Sequence, residues 1–246
     1  MDRGLLGTTD GKVVCRLKSM SNVEAQRVPI GVSKTVRVSG LWQRPSRAWS
    51  CLILAPGAGA GMDHPFMAEM AAELNAQGIA TLRYQFPYME RGGRRPDPPA
   101  LCHATVRAAA QVCASHARGL PCFAGGKSFG GRMTSQAQAA NPLEDVRGLA
   151  FIGFPLHPPG KPSAERGAHL DDVRVPMLFL QGTRDEFATL SLLESLIIRL
   201  GPRATLGLFK DANHSFHAPA RSGRSDAQIR AELAVTLAKW MKTVLN

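Results

Sequence analysis

Seven residues, Gly125-Gly126-Lys127-Ser128-Phe129-Gly130-Gly131, restrict this chain more than any others. Gly126-x-Ser128-x-Gly130 permits a sharp, strained turn between a strand and a helix, with the serine at its apex. Such a turn needs small residues beside it, and glycines stand on both sides. The flanks agree. Leu120–Ala124 reads as a short buried strand, with Pro121 confined to its start because proline cannot donate to a ladder. Arg132–Ala140 reads as a helix, with Met133, Ala137 and Ala140 at helical spacing and a stop before Asn141-Pro142. The pattern by itself also describes a glycine-rich turn carrying a surface serine. The rest of the chain has to decide.

That rest alternates. Val32, Val36 and Val38 suggest a first antiparallel strand beginning near Ile30. Ser50–Ala55 is a continuous apolar run, as in a strand buried on both faces of a parallel sheet. A helix over Pro65–Gln77 follows, with Asp63 near its start as a candidate cap and Gly78 as its stop. Next come a strand over Ile79–Tyr84, a loop over Phe86–Pro99 and an alanine-rich helix over Ala100–Arg118. Beyond the serine turn, strands are predicted at Val146–Phe154, Val175–Gln181 and Ala204–Phe209. Helices are predicted at Leu190–Leu200 and Ser225–Val244. Strands alternating with helices imply an α/β fold with a mainly parallel, doubly wound sheet and helices on both faces. Ligands of such sheets bind beyond the carboxyl ends of the strands.

Composition narrows the class. The chain has 246 residues, which suits one domain with a sizeable core. Apolar residues are 44% and charged residues 20%, so wholesale disorder is not expected. Residues 1–28 lack periodicity and a signal-type apolar core; they read as a poorly ordered extension, with Met20 as an alternative start. Residues 29–246 read as the single domain. Cys15, Cys51, Cys102, Cys113 and Cys122 form no C-x-x-C pair. They read as reduced, mostly buried thiols, which points to the cytosol. The net charge of +11 could serve nucleic acid. However, the arginines are scattered and only 6% of residues are aromatic, so a solvated basic surface fits better. No apolar run is long enough to span a membrane.

A serine hydroxyl needs an adjacent base, and the base needs an orienting carboxylate. After a turn of this kind the partners should follow in the order Ser, acid, His. Val175–Gln181 runs into Gly182-Thr183-Arg184-Asp185, placing Asp185 just past a strand. Leu206-Gly207-Leu208-Phe209 runs into Lys210-Asp211-Ala212-Asn213-His214, placing His214 past the next. His217 and Glu186 are competing candidates close to these two.

This combination resembles the α/β-hydrolase superfamily. The resemblance covers roughly Val32–Leu245 and rests on the Ser128 turn, Gln181-Gly182-Thr183-Arg184-Asp185 and Ala212-Asn213-His214-Ser215-Phe216. The chain looks most like the small, lidless dienelactone-hydrolase-like branch. It is also similar to the hydrolase-like domain shared by testis-expressed protein 30 and a subunit of a chromatin acetyltransferase complex. The resemblance implies Ser128 as nucleophile, His214 as general base and acid, and Asp185 as orienting acid. It also implies the backbone N–H groups of Phe129 and Ala58 as oxyanion donors. Dienelactone hydrolases use cysteine at the turn, so Ser128 favours ester-like substrates.

Arg91, Arg94 and Arg95 follow a strand and so should border the mouth of the site, where they could attract an anionic acyl substrate. Lys127 could steer anions or could be structural. The reading that results is a carboxylic-ester hydrolase needing no metal or organic cofactor. Its competitors are an interaction module of the same fold and a thioesterase or peptidase.

Overall fold

The computed structural model describes residues 23–246. Eight strands form one sheet: β1 (Gln26–Gly31), β2 (Arg37–Gln43), β3 (Ser50–Ala55), β4 (Ile79–Tyr84), β5 (Cys122–Lys127), β6 (Val146–Ile152), β7 (Met177–Gly182) and β8 (Ala204–Phe209). Their spatial order is β1-β2-β4-β3-β5-β6-β7-β8. β1 pairs antiparallel with β2, and β2 with β4; every other pairing is parallel.

The helices are α1 (Pro65–Ala76), α2 (Pro87–Glu90), α3 (Pro99–His116), α4 (Phe129–Ala140), α5 (Leu190–Leu200) and α6 (Asp226–Leu245). Every residue of β3, β4 and β7 is buried, which explains why these strands are mainly apolar rather than alternating, and the buried Arg83 of β4 bonds the Met62 carbonyl and Gln43 Oε1. Successive side chains still part to opposite faces. Cys51, Ile53 and Ala55 pack with Val106, Ala109 and Met133 on the face covered by α3 and α4. Leu52 and Leu54 pack with Met70, Leu74 and Leu233 on the face covered by α1 and α6. A capping box between Ser225 and Gln228 starts α6.

After β3 the chain goes to β4 on one side and comes back to β5 on the other. The strand order therefore reverses between β3 and β5. The loops leaving these two strands flank a crevice at the carboxyl edge, where doubly wound sheets bind ligands.

Several expectations need correction. The single strand expected from Ile30 is a hairpin: Val32 N–H donates to Val36 O at 2.8 Å, and strands lie on both sides. The boundary drawn at residue 28 falls inside β1. Val28 is buried and pairs with Gly40, because the antiparallel edge needs those residues as its outer strand. The remainder of the expected extension, with Met20, lies outside the described residues up to residue 22. Asp63 does not cap α1; His64 Nδ1 accepts the Phe66 N–H at 3.3 Å instead. The loop expected over Phe86–Pro99 contains α2. The strand expected to end at Ala124 runs on to Lys127. Among the described residues, no helix is long and apolar enough to cross a membrane.

Candidate active site

β5 delivers Ser128 to its apex through Gly125 and Gly126, and α4 starts at the next residue. Ser128 has φ 49° and ψ −115°, a sparsely populated conformation for a residue with a side chain. Such a residue costs about 1–3 kcal/mol and persists only where its surroundings hold it. Here its N–H donates to Ile152 O at 3.0 Å. The two motif glycines have a steric cause. A β-carbon at Gly126 would lie 2.2 Å from the Ala55 carbonyl oxygen, and one at Gly130 would lie 2.5 Å from the same oxygen. The end of β3 passes so close to the turn that only hydrogen fits.

Ser128 Oγ lies 2.8 Å from His214 Nε2, and His214 Nδ1 lies 2.7 Å from Asp185 Oδ2. The Asp185 side chain is fully buried, and three donors converge on it. Besides His214, Gln181 Nε2 donates to Oδ2 at 2.5 Å and Phe187 N–H to Oδ1 at 2.8 Å. A carboxylate so placed accepts a hydrogen bond from Nδ1–H, which leaves Nε2 free to accept from the serine hydroxyl. Phe187 packs on the imidazole, with ring centroids 4.3 Å apart.

The competitors lie elsewhere. His217 is exposed and bonds Asp226 at 3.0 Å. Asn213 Oδ1 accepts the N–H groups of both Ser215 and His217, closing a tight turn that separates the two histidines. Glu186 is exposed. His64 both caps α1 and lines the cleft.

The cleft beside Ser128 has a volume of about 350 Å³ and is lined by Gly57, Ala58, Phe66, Met67 and Phe187 in addition to the polar groups. Among the described residues, the N–H groups of Ala58 and Phe129 donate to no protein acceptor. Ala58 is the third residue after β3 and Phe129 the second after β5, in the two connections that the reversal of strand order brings together. Gly59 N–H, next to Ala58, donates to the Tyr88 hydroxyl at 2.8 Å. Burial pushes the Tyr88 phenol above its usual range, so it stays protonated. Tyr88 N–H in turn bonds Asp97 Oδ2 at 2.7 Å. This chain of contacts holds the loop after β3 in place.

Arg91, Arg94 and Arg95 are not among the residues lining the cleft, which corrects their expected position. Arg91 pairs with Asp97 at 2.7 Å, and Arg94 and Arg95 are exposed. The short helix α2 carries their loop out to the surface. Lys127 does line the cleft, but its Nζ donates to the His214 carbonyl oxygen at 2.7 Å. Burial pulls its pKa down to about 8, with the Asp185 charge opposing. Gly153, at φ +68°, leaves room for it: a β-carbon there would lie 3.1 Å from Nζ and 3.5 Å from the imidazole. Sequence reasoning missed Gln181 and Tyr88. Gln181 had a signal, one β-turn ahead of Asp185 in the same segment. Tyr88 had none, because it lies in a stretch that reads as loop.

Residues 48–242 match the α/β-hydrolase domain family. The chain belongs to the α/β-hydrolase family. Solved structures agree with that fold. A dienelactone hydrolase from Anabaena variabilis superposes with a TM-score of 0.70 at 19% identity, covering 90% of this chain and 98% of that one. An α/β serine hydrolase without a lid, from Xanthomonas campestris, superposes with a TM-score of 0.67 at 20% identity, covering 88% and 95%. An esterase from Pyrococcus furiosus gives 0.69 at 13% identity, covering 90% and 93%. The fold of this α/β-hydrolase is thus similar to that of the dienelactone hydrolase and of the serine hydrolase without a lid. Between β6 and β7 it carries only a loop and a 3₁₀ turn (Glu165–Asp172).

Proposed function

We propose that this α/β-hydrolase cleaves carboxylic esters through an acyl-enzyme. The observation that carries the proposal is the unbroken series of contacts from Ser128 Oγ through His214 to Asp185. In this reading, Ser128 Oγ attacks the ester carbonyl carbon and His214 Nε2 takes its proton. Asp185 holds the ring and stabilises the imidazolium. The carbonyl oxygen, now an anion, receives the N–H groups of Ala58 and Phe129. The tetrahedral species collapses, and the alcohol leaves with the proton from Nε2. A water then gives its proton to Nε2, attacks the acyl carbon and releases the acid and the free serine.

The cleft of about 350 Å³ is at the small end for ligand sites, which favours short acyl groups. Among the described residues, Lys127 is the one lysine or arginine lining it, so a preference for acidic esters rests on that residue. We further propose a cytosolic location, where the four buried free thiols would stay reduced.

A fluorophosphonate probe tests the mechanism. Native protein should be labelled at one site, and Ser128→Ala should abolish labelling while leaving the circular dichroism spectrum unchanged. An unlabelled native protein sinks the proposal and favours an interaction module. Nitrophenyl esters of graded length, with thioester and amide analogues, separate esterase from thioesterase and peptidase. Anionic and neutral esters of equal length, at low and high salt, test the charge preference.

A further inference from the structure

We propose that Cys51, Cys113 and Cys122 form a binding site for a soft, thiophilic ion held by three sulfurs, with monovalent copper as the ion that fits. The site is independent of the serine chemistry.

Three separate elements build it. Cys51 on β3 lies opposite Cys122 on β5 in the register of two neighbouring parallel strands. Both face the side of the sheet covered by α3, and α3 presents Cys113 between them. The Sγ atoms of Cys51 and Cys113 are 3.7 Å apart, and those of Cys113 and Cys122 are 3.8 Å apart. All three lie within 4.8 Å of one another. An ion centred among three thiolates at a metal–sulfur distance of about 2.3 Å needs sulfurs about 4.0 Å apart. Two of the three separations are within a few tenths of an ångström of that spacing, and the third exceeds it by no more than about 0.8 Å.

The surroundings select the ion. All three cysteines are buried, which keeps bulk water away from a fourth position. Two carbonyl oxygens contact the sulfurs, Pro121 O at 3.6 Å from Cys51 Sγ and Phe123 O at 3.7 Å from Cys122 Sγ, both well beyond metal-bonding distance, and the first already accepts Cys51 N–H at 3.0 Å and Ser50 Oγ–H at 2.8 Å. Hard ions need oxygen ligands and structural zinc takes four ligands, whereas soft sulfur sets select monovalent copper.

Charge also balances. Copper enters as a monovalent cation and remains one when bound, so no electron is exchanged. Two of the three thiols lose their protons to solvent and the third coordinates as a thiol, which gives a net charge of −1. The positive charge of Arg44 lies near Cys51 and partly offsets this charge. The Arg44 guanidinium sits at this end of the sheet, bonded to the His116 carbonyl at 3.4 Å. The cluster lies at the amino ends of β3 and β5, opposite the Ser128 edge, so a bound ion would fasten α3 to the sheet without touching the cleft.

The test is an anaerobic titration of fully reduced protein with copper(I) held as its bicinchoninate complex. Every protein carries Cys15→Ser, which removes a thiol outside the described residues. The protein should withdraw one equivalent of copper, gain ultraviolet sulfur-to-copper charge-transfer absorption and melt at a higher temperature. Cys113→Ala and Cys122→Ser should each lower the affinity by at least a hundredfold, while Cys102→Ala leaves it unchanged. Circular dichroism identifies which variants fold, and either of the two ligand variants suffices. Copper left on the chelator by the native protein overturns the proposal. So does capture that persists in a folded ligand variant, or zinc(II) held as tightly as copper(I). The first result would mean that the cysteines serve only as small apolar core residues.

Discussion

Replacing Lys127 with methionine would separate the energetic cost of a buried cation from its service to His214. The ammonium has one acceptor, the His214 carbonyl at 2.7 Å, and among the described residues it forms no salt bridge. Burial lowers its pKa from 10.5 to about 8. At 1.36 kcal/mol per pKa unit, keeping it charged in the folded protein costs about 3 kcal/mol. The sign follows from proton counts. Between pH 8 and pH 10.5 the folded protein has lost this proton while the unfolded chain still holds it. The unfolded state then binds more protons, so stability rises with pH through that window. Methionine keeps most of the stem and removes the charge, but it leaves the His214 carbonyl without its donor, at a cost of about 1–3 kcal/mol. At pH 7, Lys127→Met should therefore match the parent or exceed it by up to about 2 kcal/mol. By pH 10.5 the parent should have gained about 3 kcal/mol on the variant. Urea unfolding of both proteins at several pH values measures the difference, in which the other titrating groups cancel. A difference that stays flat across the window would refute the reasoning. If His214 acts as proposed, kcat should also fall about tenfold at unchanged KM. Only about 1.4 kcal/mol of a charge-assisted hydrogen bond worth about 1.5–3 kcal/mol need be lost for that.

Two further substitutions test the geometry. Asp185→Asn should lower kcat by about a thousandfold or more, because an amide reverses the imidazole tautomer; an unchanged rate in ester hydrolysis would remove Asp185 from the mechanism. Gly126→Ala places a β-carbon 2.2 Å from the Ala55 carbonyl oxygen and should destabilise the protein by more than about 3 kcal/mol, whereas Gly31→Ala meets open space and should stay within about 0.5 kcal/mol. Equal melting temperatures for these two variants would contradict the steric account of the turn.

Much of the architecture was readable along the chain because its causes are local. β3, β4 and β7 are buried on both faces, and that environment writes itself as mainly apolar runs, which Arg83 interrupts in β4. The Ser128 turn shows as glycines because the end of β3 crowds it. Post-strand loops carrying Asp185 and His214 follow from the same alternation. The first hairpin was less readable, because Val32 and Val36 keep a strand-like rhythm across a turn.

Other features were decided only by the folded arrangement. His214 and His217 are three positions apart and chemically alike; the Asn213 turn directs one to Ser128 and the other to Asp226. Tyr88 reaches Gly59, and Lys127 reaches the His214 backbone, across loops with no shared pattern. The arginines of the Arg91 loop are carried away from the cleft by a helix one turn long. Ser128 and His214 are 86 residues apart, and no periodicity extends that far. Sequence patterns record the forces between residues a few positions apart, whereas the meeting of distant side chains depends on strand order and register, which the packing of the whole sheet sets.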